Sequence, residues 1–280
     1  MKRLHMVCAC LLSLTVKAAC LGDPHATQNY SFDIVPQFTA SRIFSTWAPV
    51  LQRVGKEVGL CFDLRVSANI PDFEQVLLRG DAQFAFVNPY HAVLAYHRKK
   101  YNPLLADGHE LLTGILVVRK DSGIANIDAL KGKSVAFPAP NAFAASLLIR
   151  AELARKQVDI QPVFVKNHSN VYRAVIAGDM KAGGGVNNTL NSEVSEIQDK
   201  LRVLYETQAY SPHPVVTHPN IPADVRAKFL KAMINLGQDV EGQKLLEGIN
   251  ISQPKAVSYA QHYKVLESLK LEKFLVLSNP

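Results

Sequence analysis

The sequence predicts an α/β protein built as two halves, each a mostly parallel sheet flanked by helices. Three observations carry this. Short apolar runs of strand length alternate with stretches whose apolar residues recur at helical spacing. The same order of elements restarts past the middle of the chain. Once residues 1–19 are set aside as a leader, about 260 residues remain, enough for two medium domains that each bury a core.

The leader is read from its three parts. Lys2 and Arg3 precede an apolar run from Leu4 to Val16, and Val16, Lys17, Ala18 and Ala19 supply a small-residue cleavage site, the pattern of an export signal peptide. The run is too short to remain as a membrane anchor, and no later segment reaches eighteen uninterrupted apolar residues. An exported, periplasmic protein is expected. Cys8 and Cys10 fall in the leader, leaving Cys20 and Cys61. Three readings stand for them. Cys61 is a buried free thiol, or the two pair in an oxidising compartment, or Cys20 carries a lipid anchor, since Ala18, Ala19 and Cys20 resemble the end of a bacterial lipobox with Lys17 in the place of the usual Leu.

The elements follow in order. Tyr30 to Phe38 is a strand, and Ile43, Trp47, Val50, Leu51, Val54 and Val58 mark a helix that stops at Gly59. Cys61 to Val66 is a strand, Asp72 to Arg79 a short helix, Gln83 to Val87 a strand closed by Asn88 and Pro89, and Tyr90 to Lys99 a helix. Leu111 to Arg119 and Ser134 to Phe137 are strands, followed by a helix from Ala142 to Gln157 and a strand from Pro162 to Val165. A helix over Val171 to Ala177 ends at Gly178, and the run Gly183, Gly184, Gly185 lies on the next strand. Leu201 to Thr207 and Val215 to His218 are strands, Pro222 opens a helix, and Lys255 to Phe274 has the amphipathic pattern of closing helices.

One loop has chemistry in it. SVAF delivers the chain to Pro138, Ala139, Pro140 and Asn141, and the helix that follows presents unpaired backbone N–H groups and the positive end of its dipole, which is the physical description of an anion cradle. The formal charge of +7 falls to about +4 without Lys2, Arg3 and Lys17, a mild excess compatible with attracting an anion. Basic residues are scattered and not interleaved with aromatics, so no nucleic-acid partner is expected. His213 and His218 have HxxxxH spacing, but Pro214 between them and Pro212 and Pro219 beside them remove the helical geometry a zinc site would use. No nucleophile elbow, Walker loop or dinucleotide fingerprint is present, so neither an enzyme nor a cofactor is expected. Two α/β halves behind an export signal suggest a hinged binding protein that closes on a small ligand.

Four segments, in order, carry a family resemblance. DSGIANIDALKGKSVAF, from Asp121 to Phe137, closely resembles the entry to the second lobe of the phosphate, phosphite and phosphonate substrate-binding proteins of ABC transporters, which have the type II periplasmic-binding-protein fold. VLLRG with DAQFAFVNPYHAVLA, from Val76 to Ala95, resembles the family's DxAxxGPxxYxxA segment. NHSNVYRAVIAG, Asn167 to Gly178, resembles its xSHxxVxxAVxxG segment, and AGGGV, Ala182 to Val186, its DAGAV strand. The resemblance implies residues 20–113 as the first part of lobe 1, 114–208 as lobe 2, and 209–280 as the return to lobe 1. It implies a monomeric binder that delivers a small oxyanion to an ABC permease in the inner membrane; a sensory module reporting to a receptor kinase would use the same closing cleft.

It also implies which positions face that cleft. Asn88 and Tyr90 follow the third strand, where an amide and a phenol can donate to an oxyanion, or Asn88 only caps a helix. Asn141, Ala142 and Phe143 stand where the family carries a Ser/Thr-rich cradle; no hydroxyl appears here until Ser146, which leaves backbone amides and the Asn141 side chain. His168 matches the family's motif histidine, suited to oxyanion oxygens as neutral donor or cation. Lys181 replaces the acid that normally precedes the AG of the glycine strand. Asn187 and Asn188 leave that strand and either face the cleft or form a turn. Thr39, Ser41 and Arg42 mark a second helix start, with Arg42 a candidate clamp or a solvated side chain.

Overall fold

The computed structural model describes residues 20–276, so the expected signal peptide at residues 1–19 lies outside the described residues. The first run of elements is β1 (Leu21–Gly22), β2 (Asn29–Ile34), α1 (Ala40–Val58), β3 (Cys61–Val66), α2 (Ile70–Arg79), β4 (Phe84–Phe86), α3 (Pro89–Lys99) and β5 (Asn102–Asp107). The second run holds β6 (Gly114–Arg119), β7 (Ser134–Phe137), a π-helical stretch Phe143–Leu148 that continues directly into α4 (Ile149–Arg155), β8 (Gln161–Phe164), α5 (His168–Ala177), β9 (Ala182–Val186), α6 (Asn187–Asn191), α7 (Ser195–Gln198) and β10 (Leu201–Glu206). The chain returns through β11 (Val215–Thr217), α8 (Ala223–Leu236), α9 (Val240–Gly248) and β12 (Pro254–Ala256).

These strands form two sheets, ordered β1-β3-β2-β4-β11-β5-β12 and β10-β6-β9-β7-β8. The parallel arrangement expected holds only in the middle of each. β2 pairs parallel with β3 and β4, and β7 with β8 and β9. Around them β11, β5 and β12, and in the other sheet β6 and β10, run antiparallel, so both sheets are mixed. The antiparallel strands sit on either side of the two passages between lobes, β5 to β6 and β10 to β11, where the chain reverses instead of returning through a helical crossover.

Local chemistry explains the boundaries. Gly59 ends α1 with φ +68°, a conformation glycine adopts without steric cost. Phe32, Phe62 and Phe84 of the first sheet meet Phe229 of α8, whose ring centroid lies 5.1 Å from that of Phe84. That cluster, each ring contributing about 2–3 kcal/mol by burial, fixes α8 to the first lobe although a whole lobe intervenes in the chain. The expected long strand from Leu111 starts only at Gly114, with Leu112 making an isolated bridge to Tyr210 across the two passages. Where closing helices are expected from Lys255 to Phe274, the tail forms β12 and then three short helical pieces, Tyr259–Tyr263, Lys264–Leu269 and Leu271–Phe274. Cys20 and Cys61 form a disulfide with Cα atoms 5.5 Å apart, so Cys61 is not the free thiol of the first reading.

The glycine strand has a packing reason. β9 lies between β6 and β7 with a helix on each face. A Cβ at Gly183 or Gly185 would lie 2.4 Å from Val171 Cγ1 or Tyr172 Oη of α5, and one at Gly184 would lie 2.1 Å from Ala145 O on the opposite face. Gly114 on β6 meets the same helix, at 2.2 Å from Ala144 O. Bare backbone at these positions lets the start of the Phe143 helix sink onto the sheet.

Candidate ligand site between the lobes

In open α/β sheets ligands bind beyond the carboxyl ends of the strands. Here the carboxyl ends of β2, β3 and β4 in one lobe and of β7 and β9 in the other converge on a single cavity. It is lined by Val35, Gln37, Ile70, Asn88, Ala142, Phe143, Ala144, Ala145, His168, Val186 and His213. The lobes are closed upon it, and it encloses about 10 Å³, room for about one water. A roomier hollow of about 500 Å³ between Tyr30, Gln83 and His218 lies at the opposite, amino ends of β2 and β4, where no such convergence occurs.

The start of the Phe143 helix dominates the second-lobe wall. Ala142 precedes it in extended backbone and offers no side-chain cap. Ser146 and Leu147 donate to Ala142 O, but among the described residues the amides of Phe143, Ala144 and Ala145 have no acceptor. Those three residues are buried. Three buried donors and a helix dipole therefore end at this cavity, an arrangement that costs free energy unless an acceptor answers it.

The other sequence-predicted residues divide into four groups. Asn88 lines the cavity while capping α3: its Oδ1 accepts from His91 N at 2.7 Å, and its Nδ2 donates to Asn141 O across the lobes at 3.2 Å. His168 lines it too. Its Nδ1 meets Thr189 Oγ1 at 3.2 Å, its backbone N–H donates to Gln37 O of the first lobe, and burial pulls the imidazole pKa down to about 3, so the ring is neutral at physiological pH. Tyr90 stacks on Phe143 with its hydroxyl turned to Glu272 at 3.4 Å, away from the cavity lining. Asn141 is buried but spent: its Nδ2 donates to Glu74 Oε2 and Val276 O, and its Oδ1 accepts from Val276 N. It pins the segment at Val276 and contributes its carbonyl, not its side chain, to the cavity's edge.

Asn187 and Asn188 belong to the hinge. The Asn187 amide donates to Glu110 and Leu111 O and accepts from Thr113 N, tying β9 to the β5–β6 passage. Asn188 lines a separate hollow with Asp107, Glu110 and Asn250. Thr39, Ser41 and Arg42 stand on the rim. Thr39 Oγ1 accepts from Arg42 N, Ser41 is exposed, and Arg42 reaches across to Ser192 O at 2.5 Å and Glu193 at 3.7 Å, a bridge between lobes and not a clamp on the cavity. Glu193 also accepts from Ser169 Oγ.

Two lining residues escaped sequence reasoning. Gln37 follows β2, inside the stretch taken as strand, and its place at a strand's carboxyl end beside Pro36 was the available signal. His213 lies in the β10–β11 passage, where it was weighed only as a metal ligand. Its ring stacks on Phe86 at 5.5 Å, and burial, helped by His168 and His91, holds its pKa at about 3. Glu74 stands behind the cavity, accepting from Asn141 Nδ2 and facing His91 Nε2 at 2.8 Å.

A family model described as the periplasmic substrate-binding protein of phosphonate ABC transporters matches residues 32–263. This chain belongs to that family. Its membership covers both lobes and makes it a transport binding protein of the type II periplasmic-binding-protein fold. Solved structures show the same fold. A binding component of a phosphonate ABC transporter from Pseudomonas aeruginosa is 16% identical with a TM-score of 0.78, over 86% of this chain and 85% of that one. A Prochlorococcus marinus protein in complex with methylphosphonate is 14% identical with a TM-score of 0.76, over 86% and 96%. A Xanthomonas citri protein bound to chloride is 15% identical with a TM-score of 0.69, over 88% and 98%. No curated protein sequence matches this chain.

Proposed function

We propose that this protein captures a small oxyanion of the phosphonate, phosphate or phosphite type between its lobes, as a periplasmic monomer, and delivers it to an ABC permease in the inner membrane. One observation carries the reading: three buried amides at an uncapped helix start line a cavity together with Gln37 and Asn88 of the first lobe, whose side chains could share an anion with them. Membership of a phosphonate-transporter family, and the methylphosphonate bound by the Prochlorococcus marinus relative, support the same class. Because the closed cavity has room for only about one water, ligand entry requires the lobes to part about the two passages near Leu112 and Tyr210.

A thermal-shift panel of phosphate, phosphite, methylphosphonate, sulfonates and carboxylates tests this, since a ligand bound only by the folded protein raises its melting temperature. At least one phosphorus oxyanion should raise it. A shift produced only by uncharged or cationic compounds would remove the proposal.

A further inference from the structure

The cavity's charge inventory points to the ionic form of the ligand. Its lining contains no Lys, Arg, Asp or Glu. Four polar side chains line it, Gln37, Asn88, His168 and His213, and all are more than nine-tenths buried. Two of them end on atoms without any partner, Gln37 Nε2 and His213 Nδ1. Unpaired buried polar atoms of this sort cost free energy that a bound partner would recover.

Resting on the oxyanion reading above, we propose that Gln37 and His213 are ligand contacts and that the cleft takes its oxyanion as the monoanion, whose protonated oxygen donates to His213 Nδ1. Gln37 Nε2 donates to an unprotonated oxygen, as do the amides of the Phe143 helix start. With the His213 ring in its Nε2–H tautomer, a dianion lacks the proton that Nδ1 accepts, and it would bring two charges into a cavity whose lining has no countercharge. Both imidazoles are held neutral by burial, so neither supplies that charge.

The surroundings do not alter this balance. His213 is faced by Phe86 of β4, by His168 of α5 and by His91 of α3. The carboxylates behind them are already engaged, Glu74 by Asn141 and His91 and Glu193 by Ser169 and Arg42.

The test is calorimetric titration of methylphosphonate into the wild-type protein at a series of pH values spanning the ligand's second ionisation, with hypophosphite, which has a single acidic proton, as the control. Methylphosphonate affinity should fall about tenfold per pH unit above that ionisation, following the monoanion fraction, while hypophosphite affinity stays level. Gln37→Leu should lose about tenfold in methylphosphonate affinity at low pH, and His213→Phe should bind weakly with a flattened pH profile. Methylphosphonate binding that is level or strengthens with pH would overturn the monoanion inference and leave oxyanion capture standing. Failure of every oxyanion to bind at any pH would overturn both.

Discussion

Two helix starts flank the cleft and they differ in one respect. In the first lobe Thr39 caps α1 at the exposed rim, and Arg42 in its first turn is committed to Ser192 and Glu193 of the other lobe. In the second lobe Ala142 leaves the Phe143 helix uncapped, buried, and with three amides unmatched. Asn88 at α3 and Asn167 at α5 behave like Thr39, each accepting from the backbone of its own first turn. A helix N-terminus beside a cleft is thus not itself a binding site. What distinguishes the second-lobe start is that, among the described residues, nothing answers its donors.

The comparison predicts a ranked series of effects. The largest belongs to the packing that sinks the uncapped helix into place. Gly184→Val should cost roughly 3 kcal/mol or more in urea unfolding, because its first carbon would already stand 2.1 Å from Ala145 O and 2.5 Å from Phe137 Cδ1. Wild-type stability there would mean that the helix does not depend on the bare strand.

Acid comes next. His168 and His213 have folded pKa values held at about 3, below the unfolded value near 6.5, so the stability they confer is complete above about pH 6.5. It is lost as pH falls from there towards 3, by up to about 1.4 kcal/mol per histidine per pH unit, because the unfolded chain takes up protons that the folded one refuses. Replacing His168 with Phe should reduce the slope measured by denaturation between these limits. An unchanged slope would show that the ring titrates normally in the fold.

Smaller effects separate capping from binding. Asn88→Ala removes both a cap and a link to Asn141, and should cost about 1–2 kcal/mol in stability while also weakening oxyanion affinity. Thr39→Ala should cost only about 0.5–1 kcal/mol and leave affinity unchanged, as expected of a cap at the rim. Equal losses of affinity from the two substitutions would erase the distinction between the starts.

Much of this was legible in the sequence because it is local. Gly59, Gly178 and Pro89 punctuate the elements where the chain stops or starts, and the strand from Cys61 to Val66 was readable from its apolar content alone. The helix start after Asn141 was readable for the same reason. β5 and α9 were not singled out, and the mixed pairing of the sheets depends on β11 and β12 returning after an entire lobe. Site membership is equally nonlocal. Asn141 was a reasonable donor in sequence, but the backbone of Val276 and Glu74 of the other lobe take both ends of its amide. Gln37 and His213 meet only when the first strand and the return passage close on each other, and no spacing along the chain encodes that meeting.

The central claim is that the amides at the Phe143 helix start bind the ligand. Phe143→Pro deletes the first of them at a position where proline is tolerated, after an Ala142 already extended at φ −64° and ψ 109°, and Phe143→Ala removes the ring stacked on Tyr90 while keeping the amide. Calorimetric titration of methylphosphonate into both variants should find the proline variant weaker than the alanine variant by about tenfold or more, the worth of one hydrogen bond to a charged oxygen. Equal affinities in two folded variants would contradict the account.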